Sequence, residues 1–326
     1  MGEKFNWGEH HISPDGSVEL AGYNLYRELG EAQSYCTLIA KSHYENFVIS
    51  NWFTPKEIKQ HIENIYAFCR YGDDLGDDSP FPPNQRLLLL QEWQDDLQRA
   101  AENEWTGPAK HPIHIAIQHT AKEKNIPVEP FIKLIQAFKM DQSSNRCNDW
   151  AELKQYCVHS ADPVGHMFLY VYGYDKQEMR DLADNTCTAL QLANHWQDIS
   201  RDLDQDRIYI PLDEMEQFGF TLEMYEQRVV NEQWRNLLSF QVERAQSLFD
   251  EGRKLWPHID PRLAVDLEMF TKGGESILKS IRRQKFDTFK KRPRVSKFSQ
   301  LQMILSTWWK WRRAEKKYKR SQQKLT

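Results

Sequence analysis

Glycine and proline are scarce, 14 of each in 326 residues. With so few chain breakers, long stretches rich in Leu, Gln, Glu, Ala, Lys and Arg run uninterrupted. These are helix formers, and an all-α fold is expected. Cysteine is also scarce, with five at positions 36, 69, 147, 157 and 187. None form C-x-x-C, the number is odd, and none cluster with histidine at zinc spacing. They read as reduced, mostly buried thiols of a cytoplasmic protein. Long apolar runs are missing as well. The longest aliphatic run, Leu87 to Leu90, excludes a transmembrane helix, which needs about 20 apolar residues. No apolar run lies near the amino terminus, so no signal peptide is expected. Nor is there an excess of positive charge. The formal net charge is −4, which gives no general pull toward nucleic acid. What remains, 40% hydrophobic and 28% charged residues, is ample for one large core or two smaller ones.

Breaks fall at Ser79 to Asn84, Thr106 to Pro108, Pro127 to Pro130, Asp204 to Pro211, Pro257 to Pro261 and Arg292 to Arg294. Between them the patterning predicts helices over 31–49, 55–75, 85–103, 112–123, 129–141, 149–172, 176–203, 230–254, 260–287 and 297–319. Thr54 reads as an N-cap ahead of Pro55. There is no internal repeat. Residues 1–30 read as a loosely ordered lead, and no later boundary is strong enough to split the chain.

Two aspartate clusters stand out. The first runs from Tyr66 through Arg70 to Asp73-Asp74-Leu-Gly-Asp77-Asp78. The second runs from Gln191 through Asn194 to Asp198 and Asp202. At about 100° per residue, Tyr66, Arg70, Asp73 and Asp77 share one helical face, as do Gln191, Asn194, Asp198 and Asp202. Carboxylates four apart can bind Mg²⁺ from one helix face and leave coordination sites for diphosphate oxygens. The metal would then draw charge off a departing diphosphate. Arg70 could hold a diphosphate oxygen through charge-assisted hydrogen bonds. Asn194 and Gln191 offer neutral oxygen ligands or phosphate donors. The bland alternative is a solvated acidic helix end, because neighbouring carboxylates repel and Gly72 and Gly76 weaken a helix. Against it, Leu190, Leu192, Ala193, Trp196 and Ile199 suggest that the second helix is buried on much of its circumference. Two matched clusters are also far more specific than one.

These residues resemble the squalene and phytoene synthase family of head-to-head isoprenoid synthases over about residues 38–300. The family pattern Y-A-x-C-R-x-x-D-D-x-x-D is matched by Tyr66 to Asp77. The pattern Q-L-x-N-x-x-x-D-x-x-x-D followed by R-x-Y-x-P is matched by Gln191 to Asp202, Arg207, Tyr209 and Pro211. A third block, Y-C-x-x-x-A-x-x-V-G, is matched by Tyr156 to Gly165. Finer details resemble the bacterial hydroxysqualene synthases of hopanoid biosynthesis: Glu45-Asn46-Phe47, Ser160-Ala-Asp-Pro-Val-Gly165, Trp196-Gln-Asp198, the Gly273 to Gln284 stretch and Arg292 to Ser296. His195 stands where that branch often has Phe. His159 stands where classical squalene synthases have a Tyr.

The resemblance implies a single-domain all-α isoprenoid synthase bundle with a central apolar cavity, taken here over residues 31–300; residues 301–326 read from their own pattern as a basic amphipathic C-terminal helix. It implies conversion of presqualene diphosphate to hydroxysqualene through ionisation, cation rearrangement and quenching by water. Mg²⁺ would be held by Asp73, Asp77, Asp198 and Asp202 with Asn194. Arg70, Gln191, Asn194 and Arg207 would assist with the diphosphate. Tyr44, Phe47, Tyr66, Tyr156 and Tyr209 are candidates to line the substrate, though aromatics at helical spacing are more often plain core. His159 is a candidate to position the quenching water or take its proton, though a lone histidine is more often a satisfied structural one.

The tail from Trp308 to Arg320 is aromatic and strongly basic. Two readings stay open: a helix lying on an anionic membrane at the inner face, or a last core helix with a solvated end. The runner-up reaction is head-to-head joining of two farnesyl diphosphates to presqualene diphosphate, squalene or a carotenoid precursor. A head-to-tail prenyl synthase would carry a second D-D-x-x-D, and a terpene cyclase an N-S-E type motif; neither is present. A non-catalytic assembly factor would tend to lose the aspartates, and a structural helical protein would leave them unexplained.

Overall fold

The computed structural model describes residues 10–13, 15–42, 54–77, 79–143, 146–295 and 305–316. The described residues group into two compact units. One is drawn from Met1–Ser143 and His166–Asp175, the other from Ser144–Gly165 and Lys176–Thr326. One crossing, Gly165 to His166, falls inside a helix, so no punctuation in the sequence marks it. Among the described residues the only sheet is a two-residue pairing, His11–Ile12 with Val18–Glu19. Everything else regular is helical.

The first unit contains α1 (Leu29–Ser42), α2 (Lys56–Asp77), α3 (Pro83–Trp105), α4 (Pro112–Lys124) and α5 (Glu129–Met140). The amphipathic pattern of α2 buries Ile58, Ile62, Ile65, Phe68, Tyr71 and Leu75. Phe68 and Tyr71 meet Trp93 of α3, whose ring centroid lies 5.5 and 4.6 Å from theirs. Sequence punctuation sets α4: Pro112 opens it, and Asn125 closes it in a left-handed conformation. The glycines expected to weaken α2 do not interrupt it. A Cβ at Gly72 would lie 2.6 Å from the Phe138 ring, so the missing side chain lets α5 pack close. Within the stretch read as a loose lead, some residues are packed and tied down. Leu20 and Ala21 are buried, and the Ala21 backbone is tied on both sides. Its N–H donates to His10 Nδ1 at 3.1 Å, and its carbonyl accepts from the Tyr71 hydroxyl at 2.6 Å.

The second unit contains α6 (Trp150–Ser160), the start of α7 (Asp162–Val171), α8 (Gln177–Asp204), α9 (Leu212–Gln217), α10 (Leu222–Glu226), α11 (Glu232–Gly252), a 3₁₀ turn (Arg253–His258) and α12 (Pro261–Arg283). The single helix expected over 149–172 is therefore two, α6 and α7. Pro163 lacks a backbone N–H and its ring clashes with the preceding turn, so the helix must restart there. The long α8 is the spine of this unit. Its Leu192, Ala193, Trp196 and Ile199 are buried against a core that includes Trp234, Leu237 and Phe249 of α11 and Leu278 of α12. All five cysteines are free. Burial pushes the Cys147 thiol up to about 11 and that of Cys157 up to about 12, so neither is a thiolate at neutral pH.

The paired glycines of α12 have different jobs. A Cβ at Gly274 would meet the buried Phe249 ring at 2.4 Å and Leu190 at 3.0 Å, whereas one at Gly273 would meet nothing within 4 Å. Gly274→Ala is expected to lower unfolding stability by about 1–3 kcal/mol through overpacking. Gly273→Ala is expected to be neutral or stabilising by up to about 1 kcal/mol, because alanine is the better helix former. Urea denaturation of the two variants checks this, and equal stability would refute the assigned close packing.

Candidate active site

The first aspartate cluster occupies the C-terminal half of α2, within the first unit. Arg70 reaches along the helix to two carboxylates, bonding Asp73 at 3.2 Å and also Asp74. The Asp74 side chain is 13% exposed and that of Asp73 46%. Asp77 is exposed and Tyr66 partly buried. Burial pushes the Tyr66 phenol up, so it is protonated at neutral pH. The stripe read from the sequence is thus present, with Asp73 and Asp77 open to solvent and Asp74 turned to Arg70.

The end of this helix is held by a residue the sequence reading missed. Arg86 donates to the carbonyls of Gly76, Ser79 and Phe81 at 2.6, 2.7 and 2.7 Å. It satisfies a carbonyl at the helix end and fixes the proline-rich turn after it. Its charge also lies at the terminus where carboxylates and the helix dipole concentrate negative potential. An arginine three residues after a Pro-Pro pair gives no signal of this role.

The second cluster lies on α8, within the second unit. Asn194 is exposed, and Gln191, Asp198 and Asp202 are partly so. Asp198 is gripped by Arg292, whose Nη2 donates to Oδ2 at 2.9 Å and whose Nε donates to Oδ1. Gln197 holds that arginine from behind. Its carbonyl oxygen accepts from Arg292 at 3.0 Å, and its amide donates to the Pro293 carbonyl at 2.7 Å. Gln197 and Arg292 fall within blocks that resemble the family, but nothing in the sequence assigns either a role.

The turn after α8 is also built. Asp206 adopts a left-handed conformation, and Arg146 bonds its carboxylate at 2.5 Å. The Arg207 N–H closes on the Asp202 carbonyl at 2.8 Å. This turn carries Tyr209 back onto α8, where its ring stacks on His195 with centroids 3.7 Å apart. Tyr156 of α6 completes the group, 5.5 Å from Tyr209 and 5.9 Å from His195. Gln191 lies against the same imidazole, 3.3 Å from Nε2. Burial pushes His195 down to about 3, so it is neutral here and serves as an aromatic plate.

His159 does not join this group. It lies on the last turn of α6, and its Nδ1 is 2.9 Å from the Gln155 carbonyl. A carbonyl only accepts, so Nδ1 carries a proton and donates it there. Tyr44 and Phe47 lie outside the described residues.

The sequence pattern that defines squalene/phytoene synthases matches residues 40–299. The chain belongs to the squalene/phytoene synthase family. Its members are isoprenoid synthases acting on prenyl diphosphates, and the fold is the all-α fold of that class. The squalene synthase HpnC from Alicyclobacillus acidocaldarius has a similar structure, with 42% identity and a TM-score of 0.75 over 79% of this chain and 95% of that one. A dehydrosqualene synthase structure, 22% identical, superposes with a TM-score of 0.74 over 90% of this chain and 98% of that one. By sequence, the phytoene synthase of Arthrospira platensis is 29% identical over 84% of this chain and 91% of its own length. Within this squalene/phytoene synthase α2 offers carboxylates, and α8 carboxylates and amide oxygens, all at least partly open to solvent. That chemistry fits a hard divalent cation such as Mg²⁺ rather than a soft one.

Proposed function

We propose that this synthase converts presqualene diphosphate to hydroxysqualene and diphosphate. The observation that carries the reading is the likeness to HpnC at higher identity than to the phytoene synthases. The Ser160 to Gly165 and Trp196 to Asp198 blocks, which resemble the hydroxysqualene synthase branch of hopanoid biosynthesis, support it. The step is redox-neutral. The bond to the diphosphate oxygen breaks heterolytically, the cyclopropylcarbinyl cation rearranges, water adds through its oxygen, and a proton leaves. No reductant is needed.

Each residue then has a task. Asp73, Asp77, Asp198 and Asp202, with Asn194, would hold Mg²⁺, which supplies Lewis-acid neutralisation of the diphosphate charge. Arg70, Arg207 and Gln191 bind diphosphate oxygens through charge-assisted or neutral hydrogen bonds. Arg70 and Arg292 carry carboxylate partners until substrate arrives, which keeps the cationic groups ordered. The faces of Tyr66, Tyr156 and Tyr209 stabilise the carbocation. A neutral His195 beside Tyr209 adds no competing positive charge. His159 Nε2 is the acceptor for the proton released by the quenching water.

Purified protein with Mg²⁺ should form hydroxysqualene from presqualene diphosphate without NADPH, and leave farnesyl diphosphate unchanged. Formation of presqualene diphosphate from farnesyl diphosphate would replace this reading with the condensation reaction for which the phytoene synthase relatives speak. Turnover of neither substrate would sink both.

The C-terminal helix is proposed as a peripheral membrane contact, where an apolar substrate and product exchange with lipid. Residues 305–316 are helical and expose Leu305, Trp308 and Trp309, with Arg312 over the Trp308 ring. Full-length protein is expected to float with liposomes containing anionic lipid, and protein lacking 308–326 is expected to stay in the lower fraction. Equal flotation of the two would refute the contact.

A further inference from the structure

Far along α2 from the aspartates, three side chains converge that take no part in the proposed reaction. They are His61 of α2 and His119 and Glu123 of α4. The histidine and glutamate of α4 are four residues apart and so share a face. His61 Nε2 lies 3.3 Å from Glu123 Oε1, and His119 Nε2 lies 3.5 Å from Glu123 Oε2. One ligand atom from each of the three residues can be chosen so that all lie within 4.8 Å of one another. The two imidazoles stack nearly parallel, with centroids 5.8 Å apart at 10°.

The spacing has a specific meaning. Zinc bonds of about 2.0–2.1 Å in a tetrahedron put ligand atoms about 3.4 Å apart. The two nitrogen–oxygen separations, 3.3 and 3.5 Å, are close to that value, each to a different oxygen of Glu123. Two histidines and one carboxylate form a ligand set that leaves a further position for water.

The outer contacts agree. His61 Nδ1 lies 3.1 Å from Thr120 Oγ1. A threonine hydroxyl has two lone pairs, so it can accept from His61 Nδ1–H as well as from the Asn64 amide at 2.9 Å. That tautomer turns the Nε2 lone pair toward Glu123, which is how a metal-binding histidine is usually oriented. The buried Nδ1 of His119 has no hydrogen-bond partner. Lys124 Nζ, 3.4 Å from Glu123 Oε1, is the competing cation that an ion would displace.

We propose that His61, His119 and Glu123 form a binding site for one divalent transition-metal ion, zinc foremost, which clips α2 to α4. His61 and Asp73 are twelve residues apart on one helix, about 18 Å along its axis, so the clip is separate from the aspartate stripe. It differs in ligand chemistry too, with imidazole nitrogen in place of an all-oxygen set. Its effect falls on the helix that carries the first aspartate cluster.

The test uses full-length protein stripped with a chelator and titrated with zinc by calorimetry. Cobalt(II) absorption reports the ligand type. A single equivalent of zinc is expected to bind with a dissociation constant of about 1 µM or tighter, and to raise Tm by several degrees. Binding should survive Asp73→Ala and Asp198→Ala, and cobalt should show no thiolate charge-transfer band. Glu123 is exposed and His119 partly so, so Glu123→Gln and His119→Gln should keep the helical CD spectrum. Each should weaken zinc binding at least about tenfold. His61→Ala should do the same. No zinc binding by the parent would overturn the site. So would affinity unchanged in Glu123→Gln and His119→Gln, or loss of binding on changing the aspartates alone.

Discussion

Asp73→Ala and Asp198→Ala, made singly, are expected to abolish turnover of presqualene diphosphate while the far-UV CD spectrum stays helical. Neither carboxylate supports the core. The Asp73 side chain is 46% exposed and that of Asp198 25%. Their ion pairs with Arg70 and Arg292 are solvent-accessible, and such pairs contribute about 0–1 kcal/mol. Catalytically each carboxylate has far more to do. In the proposed reaction it helps hold the cation that neutralises the leaving diphosphate. Removing one element of such preorganised electrostatics costs about two to three orders of magnitude in rate, and a lost metal ligand costs more. Steady-state product formation at saturating Mg²⁺ measures the loss. Activity within tenfold of the parent in both variants would sink the metal assignment. A collapsed CD spectrum would instead make these aspartates structural.

The second large effect is on stability. Asp96→Ala is expected to lower Tm by about 10 °C. Asp96 is fully buried in the first unit. Its carboxylate accepts from the backbone N–H groups of Lys110 and His111, each at 3.0 Å. It also lies 2.7 Å from His114 Nδ1 and accepts from Arg99 at 3.2 Å. Burial raises its pKa, but the His114 contact and the two backbone donors outweigh that and hold it well below the usual carboxylate range. Burial holds His114 down, so the pair at neutral pH is a carboxylate and a neutral imidazole. Truncation strands several buried donors, at a cost of about 3–5 kcal/mol. For a unit of this size that converts to about 2–4 °C per kcal/mol. A Tm within about 2 °C of the parent, judged against that scale, would refute the network's role.

The same shifts set the acid response. His114, His111 and His195 have folded-state values below those of the unfolded chain. Between the two values the unfolded state binds more protons, so stability falls as pH drops below about 6.5. Asp96 is a depressed carboxylate. Its contribution is present above an unfolded value of about 3.9 and is lost below it. Tm against pH should therefore decline gently from about pH 6.5 and more steeply below about pH 4, with the steeper limb reduced in Asp96→Ala.

How legible these features were in the sequence depends on the distance between the residues that make them. The aspartate stripes were legible because each is local to one helix, where a spacing of four puts side chains on one face. The buried side of α8 was legible for the same reason, from Leu192, Ala193, Trp196 and Ile199. The stop of α6 was overlooked although Pro163 stands there, because apolar residues continue on both sides and periodicity outweighed the breaker. Arg292 on Asp198 was not legible. The partners are 94 residues apart, and neither neighbourhood carries a mark of the other.

Composition and helical periodicity by themselves determined the all-α class and the two carboxylate stripes, whose residues carry the resemblance to the synthase family. These properties depend on short-range geometry that 3.6 residues per turn imposes on any helix. Tertiary structure alone decided the rest. It turned Asp198 to Arg292, set Tyr156 and Tyr209 around a neutral His195, and made Gly274 a point of close packing beside an unconstrained Gly273. It also brought His61 to the His119–Glu123 face. Each of these is a contact between segments distant in the chain, fixed by how helices pack, and packing is a property of volumes and partners that no single segment contains.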